Sequence, residues 1–543
     1  MQVSWLSRCE SIEERIVWRV LAVALLLVEI LSQAARRLNH DVGWFLYGAS
    51  RLLDGGALYR DIVDPNLPAI YFLNVPPAWI GQLTSLRPTV VFKAYVIGLA
   101  LLSLALCSRS LRTALPSISA QARAYFLITL LAVFIPYAGS DFGQREHFFL
   151  LLVMPYLLLA QAWSRRIPVS PGLCVLAGFL AGIGLAIKPF FLLLWILVEG
   201  YLVLARGVES LWKRRENWGV AVVQFGSLAY IVFAAPDYYR HVLPLTWQVY
   251  DAANVRLVSL LSLNATLLCA VALLVLFVIP GGAELREFRR VVALAAVGAL
   301  GSGLLARKGF GYHFYPAGAL SIFFLVIAAW DLSTRVRGME KRLWRAFLAA
   351  TAVLALVLWQ RSKTPPDDLV DPLIRLTEQH AKGEDIVLYN LGEHPAFPLV
   401  NYAPARWASR FSSVWFLSGL YRYHDVRPDG ARFPYRRQAE MGSAERYVFE
   451  ALVSDLVEAA PRLVMIDCRT RLIANLNSFD LIEYLSRDAR VAELWRNYRH
   501  LTTIHCIQVF KRTGPLATQA GARHKSERCR AGWGKQSCLR AGF

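Results

Sequence analysis

The chain has 543 residues, of which 56% are hydrophobic and 18% charged, and its mean hydropathy is +0.40. These values exclude an ordinary soluble globular protein and are typical of a multi-pass membrane protein. The net charge of +20 does not indicate a nucleic-acid-binding protein, because Arg and Lys cluster between apolar runs, as they do where charge sets membrane orientation. The eight cysteines show no CxxC or Cys/His spacing typical of a metal site.

Apolar runs up to residue 360 predict membrane-spanning helices, because about 20 apolar residues cross about 30 Å of hydrocarbon. Residues 172–205 are too long for one crossing, and Lys188-Pro189 lies at their middle, so we predict a helical hairpin that turns at Lys188. The eleven predicted spans are 16–34, 89–107, 124–139, 147–163, 172–187, 189–205, 218–236, 259–280, 290–306, 314–330 and 344–360.

The charges between these runs predict the orientation. With a cytoplasmic N-terminus, every inside loop is basic, as the positive-inside rule requires. This holds only if residues 68–83, which contain three prolines, form a juxtamembrane or re-entrant helix and do not cross. The basic residues of the inside loops are Arg109, Arg112, Arg123, Arg165, Arg166, Lys213, Arg214, Arg215, Arg286, Arg289, Arg290, Arg335, Arg337, Lys341, Arg342 and Arg345.

The chain changes character after Trp359. Residues 385–391 and 462–467 are predicted to form buried strands, 446–461 an amphipathic helix, and 500–512 a last strand, which together indicate a small α/β domain. For Cys468 and Cys506, a disulfide and two free buried thiols remain open alternatives.

These patterns predict a polytopic α-helical membrane protein with a C-terminal extracytoplasmic α/β domain. The membrane region is residues 1–360, with a first outside loop at 35–88. The α/β domain is 361–512, and the Gly-, Arg- and Lys-rich tail at 513–543 is predicted to be disordered.

The first outside loop places Asp41 just after the first span, ahead of an aromatic amphipathic helix, 44–53, that could lie flat on the membrane. A carboxylate at the lipid boundary is costly unless it faces a wet cavity, which favours a functional Asp41. For Asp54, Asp61 and Asp64, solvated loop positions are the favoured interpretation.

The second outside loop, GSDFGQREHFF, packs Asp141, Arg145, Glu146 and His147 between two spans. One interpretation is an Arg–Glu pair that only anchors two helices. The other is a second carboxylate that meets Asp41 across a cavity, since paired carboxylates can hold a base and a metal.

The outside loop before the tenth span, ARKGFGYHFYPAG, gathers Arg307, Lys308, Tyr312 and His313. Cations among aromatic residues suit a phosphate or pyrophosphate, and Lys188 would add a charge from its hairpin turn. Interfacial snorkelling and an aromatic belt are the alternative. The whole group, beside acidic loops on the same face, favours phosphate binding.

At these residues the sequence resembles the GT-C superfamily of membrane glycosyltransferases, which use polyprenyl-phosphate sugars and include protein O-mannosyltransferases and aminoarabinose transferases. The resemblance rests on Asp41 leading through WFLYGASRLLDGGALYRD to NLPAIYF, on the acids of 139–149, and on spans followed by an outside domain. It covers residues 10–360 in architecture and is specific over 36–72 and 139–149. The sequence departs from the family because neither loop has two adjacent acids.

The resemblance implies transfer of a sugar from polyprenyl phosphate to an extracytoplasmic acceptor, with inversion. Asp41 would take the acceptor's proton, for which its pKa would need to rise through partial burial. Arg307, Lys308 and His313, with Lys188 in addition, would stabilise the developing phosphate charge.

The resemblance also implies that Glu146, Asp141 or Arg145 positions the acceptor or holds a divalent metal ion, and which acid does so stays open. The expected partners are a polyprenyl-phosphate-linked sugar, the lipid bilayer and a glycan, lipid or protein of the cell envelope, with no nucleic acid. The expected location is the inner (plasma) membrane, with the active site and the C-terminal domain outside.

Two other functions fit parts of the pattern. A transporter or flippase of lipid-linked intermediates also needs a charged cavity, but its polar groups usually lie near the bilayer midplane, whereas here they gather at one face. A non-catalytic envelope-assembly protein would need no Asp41 at all.

Overall fold

The computed structural model describes residues 2–261, 263–336, 368–421, 435–473 and 479–514. The predicted span 344–360 and nearly all of the predicted tail lie outside these residues. The helices of the membrane region are α1 (Gln2–Ala35), α2 (His40–Leu53), α3 (Pro68–Thr84), α4 (Pro88–Ala114), α5 (Ala120–Phe134), α6 (Arg145–Ser164), α7 (Pro171–Ala186), α8 (Leu192–Arg206), α9 (Ser210–Lys213), α10 (Arg215–Ala229), α11 (Leu243–Val249), α12 (Leu257–Leu261), α13 (Asn264–Val278), α14 (Arg286–Ala306) and α15 (Tyr315–Ser333).

Ten of the predicted spans coincide with apolar helices. Among the described residues, eight helices are long and apolar enough to cross a membrane, and α7 and α13 are shorter apolar helices. Local signals set their starts: Pro88 and Pro171 occupy the first turns of α4 and α7, and Ser119 caps α5 by accepting a hydrogen bond from the backbone N–H of Ala122.

Helix α6 lies at the centre of the membrane region. It packs against α4, α7, α14 and α15, and 94% of it is buried. Polar side chains at its first turn, Arg145 and Glu146, therefore face protein and not lipid.

Helix α3 occupies the segment that was predicted to be juxtamembrane or re-entrant. It has 17 residues, includes Pro76 and Pro77, and packs against α2 and α4. It is shorter than the eight long apolar helices. That it does not cross the membrane stays a prediction.

The C-terminal residues 368–421, 435–473 and 479–514 form the predicted α/β unit around a five-stranded sheet of order β2-β1-β3-β5-β4. Strand β1 is parallel to β2 and β3, whereas β5 is antiparallel to β3 and β4. The elements are α16 (Val370–His380), β1 (Asp385–Tyr389), α17 (Ala396–Tyr402), β2 (Arg406–Trp407), α18 (Trp415–Leu420), α19 (Ser443–Ala459), β3 (Leu463–Asp467), α20 (Leu481–Leu485), α21 (Ala489–Trp495), β4 (Tyr498–Ile504) and β5 (Ile507–Arg512).

The end of the sheet differs in one respect from the sequence-based expectation. Residues 500–512 were predicted to be one strand, but the chain reverses at His505, whose φ is +52°, to form the β4–β5 hairpin. A disulfide joins Cys468, after β3, to Cys506 in this turn. Of the two alternatives that the sequence leaves open, the structure has the disulfide.

The aromatic face of α2, which the sequence suggested could lie against the membrane surface, is buried against protein. Trp44 and Phe45 are each 1% exposed, because α3 and α17, the latter from the α/β unit, both pack against the helix. The Trp44 and Phe397 rings lie 5.2 Å apart, and Asn401 donates a hydrogen bond to the Gly43 carbonyl oxygen at 3.0 Å. A Cβ at Gly43 would clash with Asn401 Oδ1, so a larger residue there would displace the Asn401 amide.

Candidate active site

Asp41 lies in the first turn of α2, at the buried junction between the membrane region and the α/β unit. The Asn39 side chain caps this helix by accepting a hydrogen bond from the Asp41 backbone N–H at 3.1 Å. The Asp41 carboxylate accepts hydrogen bonds from Gln144 Nε2 at 3.1 Å and from Arg145 Nη2 at 2.9 Å. The first and second predicted outside loops therefore meet at Asp41.

Arg145 connects several residues of this junction. Besides Asp41, its guanidinium donates to Asn66 Oδ1 and to the Tyr312 hydroxyl, the latter at 3.3 Å. It also lies over the Phe45 ring, 5.4 Å from the centroid. Three predicted site residues, Asp41, Arg145 and Tyr312, are thus in direct contact.

Glu146, next to Arg145 on α6, forms a second charged group. Its Oε1 lies 2.8 Å from Lys188 Nζ and 3.9 Å from His313 Nε2. Its Oε2 is buried and has no hydrogen-bond partner among the described residues. Lys188 reaches it from the turn between α7 and α8, where the sequence predicted a hairpin.

The turn before α6 explains why His147 stands apart from the site. Gly143 has a φ of +80°, and a Cβ there would lie 2.5 Å from the Phe92 ring. The Gly143 N–H donates to His147 Nδ1 at 2.9 Å, and His147 Nε2 lies 2.5 Å from the Phe134 carbonyl oxygen. Both ring nitrogens of His147 are therefore occupied by backbone groups and do not face the site residues.

Asp141 is partly buried at the end of a 3-10 segment, Pro136–Asp141, that follows α5. It is near enough for its charge to interact with those of Glu146 and Asp41. The structure therefore places both predicted second acids near Asp41, with neither in direct contact with it among the described residues.

The two cations before α15 differ in position. Lys308 is 9% exposed, contacts the Tyr250 carbonyl oxygen and Asn254 Oδ1, and lies 3.7 Å from the centroid of the Tyr250 ring. Its charge acts on His313. Arg307 is exposed in a left-handed conformation just after α14, and its side chain makes no hydrogen bond or ion pair within the described ranges. Lys308 joins the site, whereas Arg307 lies at its edge.

Glu393 is a site residue that the sequence interpretation missed. It lies in the loop after β1, and ligand atoms of His40, Asp41 and Glu393 all lie within 4.8 Å of one another. The loop follows the carboxyl end of a parallel strand, where binding sites of α/β sheets often form. The position of Glu393 after a predicted strand could therefore have indicated a site residue. The α/β unit therefore supplies a carboxylate to the junction.

Asp64 was interpreted as a loop residue but is 6% exposed. Trp44 Nε1 and the Asn66 N–H each donate to its carboxylate at 2.6 Å. Because Asn66 also accepts from Arg145, Asp64 is tied to the site through one residue. The sequence alone did not distinguish Asp64 from the other acids of this loop.

The surroundings move the pKa values of these carboxyls in different directions. Burial alone would raise the pKa of Asp41, but Arg145, His40, Gln144 and Lys188 bring it below its ordinary value. Burial, followed by repulsion from Asp41, raises the pKa of Glu393 to about 8. Asp41 is therefore ionised at neutral pH, and Glu393 is largely protonated.

The surroundings of Asp41 differ from the sequence-based expectation that burial would raise its pKa. The sequence did not show that Arg145 would contact Asp41 directly. Burial is the largest single effect at Asp41, but its charged and hydrogen-bonding neighbours together outweigh it. The carboxyl whose pKa is raised is therefore Glu393 and not Asp41.

For a metal ion, the described residues offer His40, Asp41 and Glu393 at this site. One imidazole and two carboxylates are donors that a divalent cation accepts. Asp141 and Glu146, the predicted ligands, form no such group among the described residues, and Glu146 is already bound to Lys188.

The arrangement combines an ionised carboxylate, a protonated carboxyl and three buried cations. Arg145, Lys188 and Lys308 can neutralise a phosphate, and Asp41 can accept a proton beside them. All lie where helices of the membrane region meet the α/β unit.

Comparison with solved structures finds the same fold in ArnT from Cupriavidus metallidurans. ArnT bound to undecaprenyl phosphate matches with a TM-score of 0.54 and 15% identity, over 91% of this chain and 97% of ArnT. Apo ArnT gives a TM-score of 0.56 and 14% identity, over 92% and 98%. An oligosaccharyltransferase from Archaeoglobus fulgidus matches with a TM-score of 0.46 and 13% identity, over 88% and 72%.

No protein-family profile matches the chain, and no curated protein matches it in sequence. The ArnT matches cover nearly the whole of both chains. They confirm the predicted fold class, a polytopic α-helical protein with a C-terminal α/β unit.

Proposed function

We propose that the chain is an integral membrane glycosyltransferase that moves a sugar from a polyprenyl-phosphate donor to an extracytoplasmic acceptor, with inversion. The observation that carries the proposal is the buried contact between Asp41 and Arg145, which sets a base beside a phosphate-binding group. The fold supports it, since ArnT, which has the same fold, binds undecaprenyl phosphate.

In this proposal the donor phosphate binds at Arg145 and Lys188, with Lys308 behind them. A phosphodiester carries one negative charge, and it becomes a monoester with a second charge when the bond from the anomeric carbon to the phosphate oxygen breaks. Buried cations stabilise that added charge more than solvated ones would. Tyr312, already bonded to Arg145, holds the guanidinium in place.

Asp41 is the proposed base. The acceptor hydroxyl oxygen forms the new bond to the anomeric carbon, and its proton passes to Asp41. In the structure Arg145 makes Asp41 a weak base. A phosphate that shares Arg145 offsets that charge, so donor binding raises the pKa of Asp41 when a base is needed.

Glu146, Asp141 and Glu393 have supporting roles in the proposal. Glu146 holds Lys188 and His313 at the phosphate, and Asp141 lies near the acceptor's approach. Protonated Glu393 can donate a hydrogen bond to Asp41 or to the acceptor. If a divalent metal ion takes part, His40, Asp41 and Glu393 are the residues that would hold it; the ion would supply a further positive charge.

The proposed location is the inner membrane, with the site and the α/β unit on the extracytoplasmic side. The basic loops predict this orientation. The acceptor would be a glycan, lipid or protein of the cell envelope.

A comparison of cell lipids and envelope glycans tests the function. Deletion cells should accumulate one polyprenyl-phosphate sugar and lose one sugar modification, as seen by mass spectrometry, and the wild-type gene should restore both. Unchanged polyprenyl-phosphate sugars and envelope glycans would contradict the proposal. A flippase would instead leave the lipid-linked sugar on the cytoplasmic face, which an impermeant oxidant of sugar diols distinguishes.

A further inference from the structure

A second charged cavity lies at the other end of the helices that carry the site. It has a volume of about 660 Å³ and opens between the C-terminal ends of α6 and α8 and the N-terminal end of α14. Helix α6 alone separates it from Arg145 by about 30 Å, at 1.5 Å per residue, which is about the thickness of the hydrocarbon. The cavity is therefore separate from the candidate active site.

The charge of the cavity is positive. Three arginines and one glutamate line it: Arg165, Arg206, Arg290 and Glu287. Glu287 is already satisfied, since Arg290 Nη1 donates to it at 2.9 Å and the Tyr201 hydroxyl donates to its other oxygen. The acid therefore leaves two arginine charges unmatched.

Arg165 and Arg206 have guanidinium N–H donors that the described residues do not use. Arg165 donates to the Glu284 carbonyl oxygen at 3.1 Å, and Arg206 to the Ser164 carbonyl oxygen. Neither forms an ion pair with a carboxylate within the described ranges. Arg206 Nε is buried and has no hydrogen-bond partner there. Two guanidinium groups at one cavity without a carboxylate partner can bind the oxygens of an anionic ligand.

The rim of the cavity is apolar on one side. Leu204 is 89% exposed and Ala205 lies beside it, on a helix that crosses the membrane region. An opening bounded by arginines and a fully exposed leucine suits a ligand with an anionic head and an apolar tail. A basic pocket between helices at a membrane face is where anionic lipid headgroups bind.

We propose that this cavity binds the phosphate of an anionic phospholipid, with Arg165 and Arg206 as the headgroup ligands and Leu204 against the acyl chain. The site lies at the end that the charge pattern predicts to be cytoplasmic. It is independent of the proposed glycosyl transfer.

Native mass spectrometry of the purified full chain in detergent tests the proposal. Phosphatidylglycerol is titrated into wild type, into the double variant Arg165→Gln/Arg206→Gln and into the single variant Arg165→Gln. Arg109→Gln/Arg112→Gln is the matched control, because both arginines are exposed on the same predicted side and away from the cavity. Phosphatidylcholine and inorganic phosphate are titrated in parallel.

The first bound phosphatidylglycerol should dissociate about tenfold more readily from the double variant, and less so from the single variant, with the control like wild type. Equal weakening in the control would overturn the proposal in favour of general surface attraction. Equal binding of phosphatidylcholine, or binding of inorganic phosphate as tight as that of the lipid, would also overturn it. If the double variant does not fold, the single variant decides, since Arg165 is exposed.

Discussion

Asp41 and Glu393 bring two carboxylates together from distant parts of the chain. Burial opposes ionisation of Asp41, but Arg145, His40, Gln144 and Lys188 together bring its pKa below the ordinary value. At Glu393, burial and the neighbouring charge of Asp41 raise the pKa to about 8. One acid is thus ionised and the other protonated at neutral pH. A pair in opposite states can accept one proton and donate another.

The raised pKa of Glu393 makes stability depend on pH. The folded protein keeps a proton on Glu393 that the unfolded chain loses near pH 4.5, so stability falls as pH rises and levels off above about 8. The substitution Glu393→Gln should remove this loss of stability with rising pH. Between pH 5 and pH 8, the melting temperature of wild type should drop about 5 °C more than that of Glu393→Gln.

The matched control for Glu393 is Glu450→Gln, since Glu450 is exposed on α19. Its melting temperature should follow that of wild type across the same pH range. Parallel melting curves for wild type and Glu393→Gln would show that Glu393 ionises normally.

At single residues, the sequence predicted the acids and cations of three outside loops and of the hairpin turn because a charge at an apolar boundary is conspicuous. Asp41, Arg145, Glu146, Lys188, Lys308 and His313 do lie together. Glu393 and Asp64 were missed because their burial comes from the docking of the α/β unit, which no local pattern encodes. The direct Asp41–Arg145 contact joins the first turns of α2 and α6, and no local pattern encodes it either.

The contact between Glu146 and Lys188 joins two elements, the start of α6 and the turn between α7 and α8. Lys188 Nζ lies 2.8 Å from a carboxylate that is 1% exposed. A buried carboxylate without its cation is costly, because neither water nor protein replaces the lost charge. The pair therefore holds the hairpin against the site.

Lys188→Gln should destabilise the protein by about 3 kcal/mol, because it leaves Glu146 buried without its cation. The added change Glu146→Gln should recover part of this loss. Lys213→Gln is the control: its partner Glu209 is exposed, and the loss should stay below about 1 kcal/mol. Thermal unfolding in detergent measures all three, and equal effects of Lys188→Gln and Lys213→Gln would disprove the buried pair.

Among the elements, long apolar helices were predictable because hydropathy alone identifies them. Helix α2 was predicted as a helix, but the burial of its aromatic face in protein was not predicted, since an amphipathic face fits a protein surface as well as a membrane surface. The β4–β5 hairpin was read as one strand because its turn, His505-Cys506, carries no Gly, Pro or Asn signal. The disulfide between Cys468 and Cys506 could not be predicted, because it depends on how close the two cysteines lie in the fold.

Over the whole molecule, charge is divided between the two ends of the helices. One end gathers Asp41, Arg145 and Glu146 beneath the α/β unit, and the other carries the arginine-lined cavity. The predicted orientation places the first end outside and the second inside.

Labelling of single cysteines tests this orientation. Ser117→Cys lies at an exposed position just before the apolar segment Ala120–Asp141, and Ser140→Cys at an exposed position at its other end. In intact cells, an impermeant thiol reagent should label Ser140→Cys alone, and both should react after permeabilisation. Labelling of Ser117→Cys alone would invert the orientation, and labelling of both in intact cells would contradict the span.

Sugar transfer by purified protein in liposomes tests the central claim most directly. The donor is the polyprenyl-phosphate sugar recovered from deletion cells, and Asp41→Asn is compared with Asp54→Asn, which changes an exposed acid of the same loop. Asp41→Asn should fold, still bind undecaprenyl phosphate and lose transfer by about 10²-fold or more, while Asp54→Asn stays near wild type. Transfer at the wild-type rate by folded Asp41→Asn would contradict the role of Asp41 as the base.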